Sequence, residues 1–351
     1  MKEQKKEREL LPTTDEPIRF EPTFRVKYRG FAIFLICCAL LIAAFAVSSV
    51  WMQREGNEWS DHSTETVDEY DSETQSAVTD SSQINGNGQE AQPIPENAMP
   101  IVSKDISYLS LGEKYIHNET SYVPNAETLL QMDFSFADCK NPAVLILHTH
   151  TSEGYLPSDT AYVTEPIGSL TYTRDTRYNV IAVGKALADA LQKKGITAIH
   201  CTVMHDASGL SGAYERSAET VKKYLEEYPE ICLVIDLHRD AVITADGEAI
   251  NAVTEVDGKR VAQVMAVVGS DGNGTEYKQW ESNLSLALQL RSLLNRQGNL
   301  CRPVSLRNAS FYQELAPNAL LLEIGTSAGT VEDAIAAAEF VGGAIAELLY
   351  R

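Results

Sequence analysis

The stretch His148-Thr149-His150-Thr151-Ser152-Glu153 brings two imidazoles and a carboxylate together directly after an apolar run. Two further groups end or interrupt similar runs: His238 in Asp236-Leu237-His238-Arg239-Asp240, and Glu323 in Leu320-Leu321-Leu322-Glu323-Ile324. An ionised carboxylate among apolar residues is costly to bury unless it is paired or used. These residue types meet the needs of a mononuclear zinc hydrolase. Three His and Glu ligands leave one position for water, the ion lowers the pKa of that water to about 7, and an unligated Glu carries its proton to the leaving group. Glu323 is the better candidate for that base, because it lies on a separate strand; Glu153 is the better ligand, with His238 and one or both of His148 and His150. Residues two apart share a face on a strand but not beyond its end, so spacing leaves the choice between the two histidines open.

The neighbours are less specific. Arg239 and Asp240 read either as a surface ion pair or as groups that orient His238 or grip a substrate carboxylate. His205, beside Asp206, and Arg216 are candidates for contacts behind the cluster or to substrate. GxSxG, P-loop and HExxH patterns are missing, which removes the core motifs of serine hydrolases, nucleotide-binding proteins and helix-based zinc proteases. Asp271-Gly272-Asn273-Gly274 lacks the remaining EF-hand spacing and reads as a turn.

The elements that must hold these groups follow from hydrophobic patterning. Ala143–Leu147, Ile231–Leu237 and Ala319–Ile324 read as buried strands, each leading to a candidate residue. Helical spacing predicts helices over Tyr178–Lys193, closed by Gly195, and over Gly212–Tyr228, Glu281–Gln297 and Thr330–Leu349. Asp257-Gly258 between extended runs at Ala249–Val256 and Lys259–Gly269 predicts a β-hairpin. The pattern is an α/β sandwich with a mixed sheet, in which ligands gather beyond the carboxyl ends of the strands.

The chain has 351 residues and a formal net charge of −20, which leaves no basic field for nucleic acid. Residues 31–51 contain no charged side chain and are long enough to cross a bilayer. Lys and Arg precede that run and acidic residues follow it, which predicts a cytoplasmic tail over 1–30, a transmembrane helix over 31–51 and an extracytoplasmic remainder. Polar residues dominate 52–100, read as a disordered linker, and the folded unit is expected over 101–351. Cys139, Cys201, Cys232 and Cys301 are far apart in sequence and read as free thiols.

Four ordered motifs, VLILHTHTSEGYLP (144–157), RYNVIAVGKAL (177–187), LVIDLHRDA (233–241) and LLLEIGT (320–326), resemble the stage II sporulation protein P family, which is related to zinc-dependent N-acetylmuramoyl-L-alanine amidases. The resemblance implies an amidase-type (phosphorylase/hydrolase-like) fold and Zn2+ as cofactor. It also implies cleavage of the amide between the muramic acid lactyl group and the first stem-peptide alanine, with peptide crosslinks as a second target. The implied setting is the sporulation septum during engulfment, in a complex with a lytic transglycosylase and a recruiting membrane protein. By motif, His238 falls on a ligand, Glu323 on the catalytic Glu and His150 on the first ligand, with His148 over a proline. The remaining ligand in the wider family is a Glu before the helix near Asn179, where this chain has Asp175, so the resemblance assigns that place to Glu153 or Asp175. The contrasting reading is a septal scaffold that keeps the fold, binds wall and has lost the metal.

Overall fold

The computed structural model describes residues 65–66, 95, 97–107, 114–132, 136, 143–164, 172–296 and 298–350, all within the compact unit Ser63–Arg351. The strands are Glu65–Thr66 (β1), Met99–Lys104 (β2), Ile116–Asn118 (β3), Ala143–Leu147 (β4), Tyr162–Val163 (β5), Thr197–His200 (β6), Ile231–Asp240 (β7), Val242–Ile243 (β8), Ala249–Val256 (β9), Lys259–Ala262 (β10), Val264–Gly269 (β11), Val304–Arg307 (β12) and Ala319–Thr326 (β13). The helices are Ala126–Leu130 (α1), Val180–Lys193 (α2), Ala213–Glu227 (α3), Trp280–Leu294 (α4) and Val331–Leu349 (α5), with a 3₁₀ turn at Gln313–Leu315. The expected tail, transmembrane helix and most of the linker lie outside the described residues. Within the linker, Glu65–Thr66 pairs with Val242–Ile243, and β2 starts two residues ahead of the expected boundary. Among the described residues no helix is long and apolar enough to cross a membrane.

Seven strands in the order β3-β12-β11-β13-β7-β4-β6 form the main sheet. β13, β7, β4 and β6 run parallel, whereas β11 opposes β13 and carries β12 and β3 in its own direction. The expected mixed sheet is therefore found. Alternation along each strand sorts the faces. Val144, Ile146, Leu233, Ile235, Leu237, Leu320, Leu322 and Ile324 pack beneath α2, α4 and α5 in one core. Leu145, Leu147, Val234 and Ala319 face Val221 of α3, and Met265, Val267 and Leu321 lie on the same side against Phe311. With both faces covered, the strands read as continuous apolar runs, and each fully buried Leu contributes about 1.5–3 kcal/mol. The same parity puts Asp236, His238 and Glu323 on the α3 side and aims position 148 at the opposite side.

Local chemistry sets the boundaries. Asn179 accepts a hydrogen bond from the Ile181 amide (3.0 Å) and starts α2; Thr330 accepts from the Asp333 amide (3.2 Å) and starts α5. β9 and β10 pair in the register Val256↔Lys259. Asp257 and Gly258 have φ of 53° and 74°, the left-handed pair that a tight two-residue hairpin turn requires. The extended run predicted over 259–269 breaks at Gln263. Its side chain accepts from the Ile106 amide (2.8 Å) and donates to the Asn299 carbonyl (2.7 Å). The chain there leaves a second sheet, of order β1-β8-β9-β2-β5 with β10 on β9, and enters the main one. Cys201, Cys232 and Cys301 are buried free thiols, as expected; Cys139 lies outside the described residues.

Candidate metal centre and active site

Residues 148–153 form a turn beyond β4 whose polar groups are fixed from behind. Asp236 accepts from the Thr149 amide (2.8 Å) and hydroxyl (2.6 Å). Thr151 donates its hydroxyl to the His148 carbonyl (2.8 Å), and Asp206 accepts from the Ser152 amide (2.9 Å) and hydroxyl (2.5 Å). The turn closes with the Glu153 amide on the His150 carbonyl (3.0 Å). Ordering a turn costs about 1–2 kcal/mol per residue in backbone entropy, and these bonds offset it in the folded state. His150 and Glu153 are thereby held above the strand ends.

The two histidines part company. His148 follows the parity of β4 to the helical side, where Nδ1 donates to the Leu237 carbonyl (2.8 Å) and Nε2 stands 2.9 Å from His200 Nε2. Burial, then the nearby His200, pushes its pKa down to about 3. At Gly184 of α2 a Cβ would stand 2.6–2.7 Å from these two rings, so glycine leaves room for them. His150 instead sits beside His238, ring centroids 5.3 Å apart, and its buried Nδ1 has no hydrogen-bond partner.

His238 lies between two carboxylates, with Nδ1 3.3 Å from Glu153 Oε2 and Nε2 3.0 Å from Asp236 Oδ2. The second approach is off line for a hydrogen bond, which leaves Nε2 unsatisfied and the contact ionic. Burial alone would favour neutral imidazole, but the two carboxylates outweigh it and raise the His238 pKa well above its usual value. In return, against the effect of burial, the charge on His238 lowers Glu153, and His238 with Thr149 lowers Asp236 to about 2. Glu323 is the direct register partner of His238. Its Oε2 is enclosed without a partner. Burial, with Asp240 and Glu153 adding to it against His238 and Arg239, raises its pKa to about 8.

His150, Glu153, His238 and Glu323 are thus brought together; His148 and Asp175 are not. Asp175 lies on the surface in an ion pair with Arg177 (2.6 Å), which lowers it to about 2. The surface reading of Arg239 and Asp240 is corrected, since both are buried at the end of β7. Arg239 donates to the Gly154 carbonyl (3.2 Å) and lies over the Tyr172 ring, while Asp240 pairs with Arg302. His205 supports the turn from behind, its Nδ1 on the His148 carbonyl (2.7 Å). Arg216 ties down the loop that carries His205 by donating to the Gly209 carbonyl (2.6 Å). Sequence reading missed Asp236, although its place two residues before His238 on one strand signals a shared face. It also missed Tyr214, which stacks with His238 at 6.3 Å.

Among the described residues no group of three or more His, Cys, Asp or Glu side chains stands where it could hold a metal ion. The donor types, imidazole and carboxylate, are nevertheless ones that zinc takes. Ligand atoms about 2.0–2.1 Å from a tetrahedral ion stand about 3.3–3.4 Å apart, which is the separation of His238 Nδ1 and Glu153 Oε2. The adjacent His150, its ring 5.3 Å from that of His238, has a buried Nδ1 with no hydrogen-bond partner.

A mixed α/β sheet with a His–carboxylate cluster at its strand ends defines the class: an α/β protein with a candidate hydrolytic centre. The chain belongs to the stage II sporulation protein P family, whose model, Stage II sporulation protein P (SpoIIP), matches residues 44–346. Stage II sporulation protein P of Bacillus subtilis (strain 168) is 28% identical over 219 residues, covering 59% of this chain and 51% of that protein. The chain therefore spans about half the length of this curated relative. Among solved structures, it is similar to the catalytic domain of CwlV, an N-acetylmuramoyl-L-alanine amidase from Bacillus (Paenibacillus) polymyxa var. colistinus. That match has 10% identity and a TM-score of 0.35, over 60% of this chain and 98% of that one. The amidase Ami1 from Mycobacterium smegmatis matches at 13% identity and a TM-score of 0.33, over 60% and 98%. These likenesses concern chain arrangement alone.

Proposed function

We propose that this chain is a zinc-dependent peptidoglycan hydrolase that cuts the amide between N-acetylmuramic acid and the first alanine of the stem peptide, with peptide crosslinks as a second target. The observation that carries the reading is the convergence of His150, Glu153 and His238 beside a Glu323 oxygen that has no partner. Membership of the sporulation family supports a wall substrate. Zinc held by His150, Glu153 and His238 would supply Lewis acidity toward the scissile carbonyl. Asp236 fixes the orientation of His238, and the buried Arg239, whose amide donates to Glu153 Oε2 at 3.2 Å, fixes that of Glu153. Glu323, raised to about 8, has a proton affinity near neutrality, suited to accepting a proton and returning it to the leaving amine. His148 serves the fold.

The same reading places residues 1–30 in the cytoplasm, a membrane anchor at 31–51, a tether over 52–100 and a catalytic domain over 101–351 outside, at the sporulation septum. The partners that go with it are a lytic transglycosylase and a membrane protein that recruits both. The anchor rests on the uncharged run and the charge bias around it. For the chemistry, Glu323→Gln is expected to keep wild-type zinc content and melting temperature while release of soluble fragments from purified walls falls by about 100-fold or more. Retained digestion by that variant would contradict the mechanism. Wild-type protein that binds walls without zinc and without digestion would establish the scaffold reading instead.

A further inference from the structure

The loop between β12 and β13 carries a feature that hydrolysis alone does not require. Among the described residues, Asp257, Phe311 and Tyr312 are the non-glycine positions with left-handed φ, and Phe311 (51°) and Tyr312 (55°) are consecutive aromatic residues. Bulky side chains seldom occupy this region, and such strain persists only where the surroundings impose it. The surroundings do so here. At Gly269 a Cβ would collide with the Ala309 carbonyl at 2.0 Å, so the loop lies flat on the end of β11. Gln313 then clamps it, accepting from the Gly269 amide (2.9 Å) and donating to the Val267 carbonyl (2.9 Å).

The strained backbone sends both rings to the candidate site. Tyr214, at the start of α3, lies 5.9 Å from Phe311 and 6.2 Å from Tyr312. It also contacts the metal-binding candidates, 5.5 Å from His150 and 6.3 Å from His238. All three aromatic residues are half-buried, so the aromatic group beside the cluster is still partly open to solvent. We propose that Tyr214, Phe311 and Tyr312 form a subsite that stacks on a neutral N-acetylated pyranose ring of the wall glycan and so sets the substrate's position over the cluster. The inference rests on the wall-hydrolase reading and adds the sugar contact to it.

Charge favours a sugar over a stem peptide. After burial, the carboxylates of Glu215 and Glu314 raise the Tyr312 phenol against the smaller opposing effect of Lys222, so the balance of charge close to the wall is acidic. They repel the carboxylates of a stem peptide and leave a neutral sugar unaffected. A pyranose presents a flat row of C–H groups that packs against an aromatic face, while its hydroxyls and acetamido group remain free for polar contacts. Ring stacking supplies such contact at little entropy cost, because an aromatic side chain has only two rotatable bonds.

The test uses the full-length protein with N,N′,N″-triacetylchitotriose as the neutral sugar probe and a free stem peptide as the competing ligand, titrated by NMR. Phe311→Asn and Tyr312→Asn remove a ring at positions where asparagine tolerates the left-handed backbone. Tyr214→Phe keeps the ring and guards against a purely structural loss. The expected result is that Tyr312→Asn melts as the wild type does while Phe311→Asn, which uncovers Met265, Val267 and Leu321, melts lower, that both bind the sugar at least tenfold more weakly, that Tyr214→Phe binds as the wild type does, and that the peptide shows no ring dependence. In wall digestion the Asn variants raise KM with kcat little changed. Sugar affinity unchanged in both Asn variants overturns the proposal, and so does ring-dependent binding of the peptide in place of the sugar. Sugar binding that depends on the rings in a protein that digests no wall would refute the hydrolase and leave the subsite standing.

Discussion

His148 and His200 offer a quantitative check on where the first histidine of the HTHTSE turn points. Both pKa values are depressed below the usual 6.5, His148 to about 3 and His200 to about 4. Burial is the first cause in each case, followed by the partner ring for His148 and by Lys185 for His200. Between these values and 6.5 the unfolded chain binds protons that the folded chain does not, so stability falls as pH drops below 6.5. At pH 5 each histidine is 1.5 units below its unfolded pKa, which amounts to about 2 kcal/mol per residue and about 4 kcal/mol for the pair. His238 acts in the opposite sense. Its raised pKa gives stability that is full below 6.5 and is lost as pH rises through the folded value, so it cancels when proteins with the same site are compared. The perturbation is therefore His148→Gln, which keeps a polar group beside His200 (2.9 Å) and removes one titrating site. Urea unfolding followed by circular dichroism at pH 7, 6 and 5 should show the wild type losing about 2 kcal/mol more than the variant between pH 7 and pH 5. Equal losses would mean that His148 protonates freely in the fold, and its placement on the buried, helical side of the sheet would be refuted.

Three further outcomes follow from the same contacts. Gly184→Ala should lower stability despite the better helix former, because a Cβ at 2.6–2.7 Å from both imidazoles overpacks the site at a cost of about 1–3 kcal/mol, against a helix gain of about 1; a raised melting temperature would contradict that contact. His238→Ala should abolish digestion and also destabilise the metal-free protein by about 3–5 kcal/mol, since Asp236 and Glu153 lose the cation between them; denaturation in chelator measures it. Glu323→Gln should separate zinc retention from wall digestion, as described for the proposed function.

Much of the scaffold was legible because the interactions that build it are local or periodic. The runs 143–147, 231–237 and 319–324 are largely apolar on both faces because the sheet is covered on both sides. Asn179, Thr330 and the Asp257-Gly258 pair set boundaries through bonds or φ values within a few residues. The second sheet was not legible, because β2 pairs with β9 across long loops and nothing near Met99 encodes that register. Ambiguity between His148 and His150 also had a physical origin: face alternation applies to 148, which continues β4, and lapses at 150, which lies in the turn. Asp236 was hidden inside an apolar strand, and the Phe311-Tyr312 conformation runs against local preference, being imposed by Gly269 and Gln313 from elsewhere in the chain.

The most direct test of a hydrolytic centre at the ends of β4, β7 and β13 is mass spectrometry of the fragments that the zinc-loaded protein releases from purified peptidoglycan. The expected products are glycan strands stripped of stem peptides together with free peptides that begin at an unblocked alanine. Fragments in which every peptide remains joined to its muramic acid would contradict that expectation.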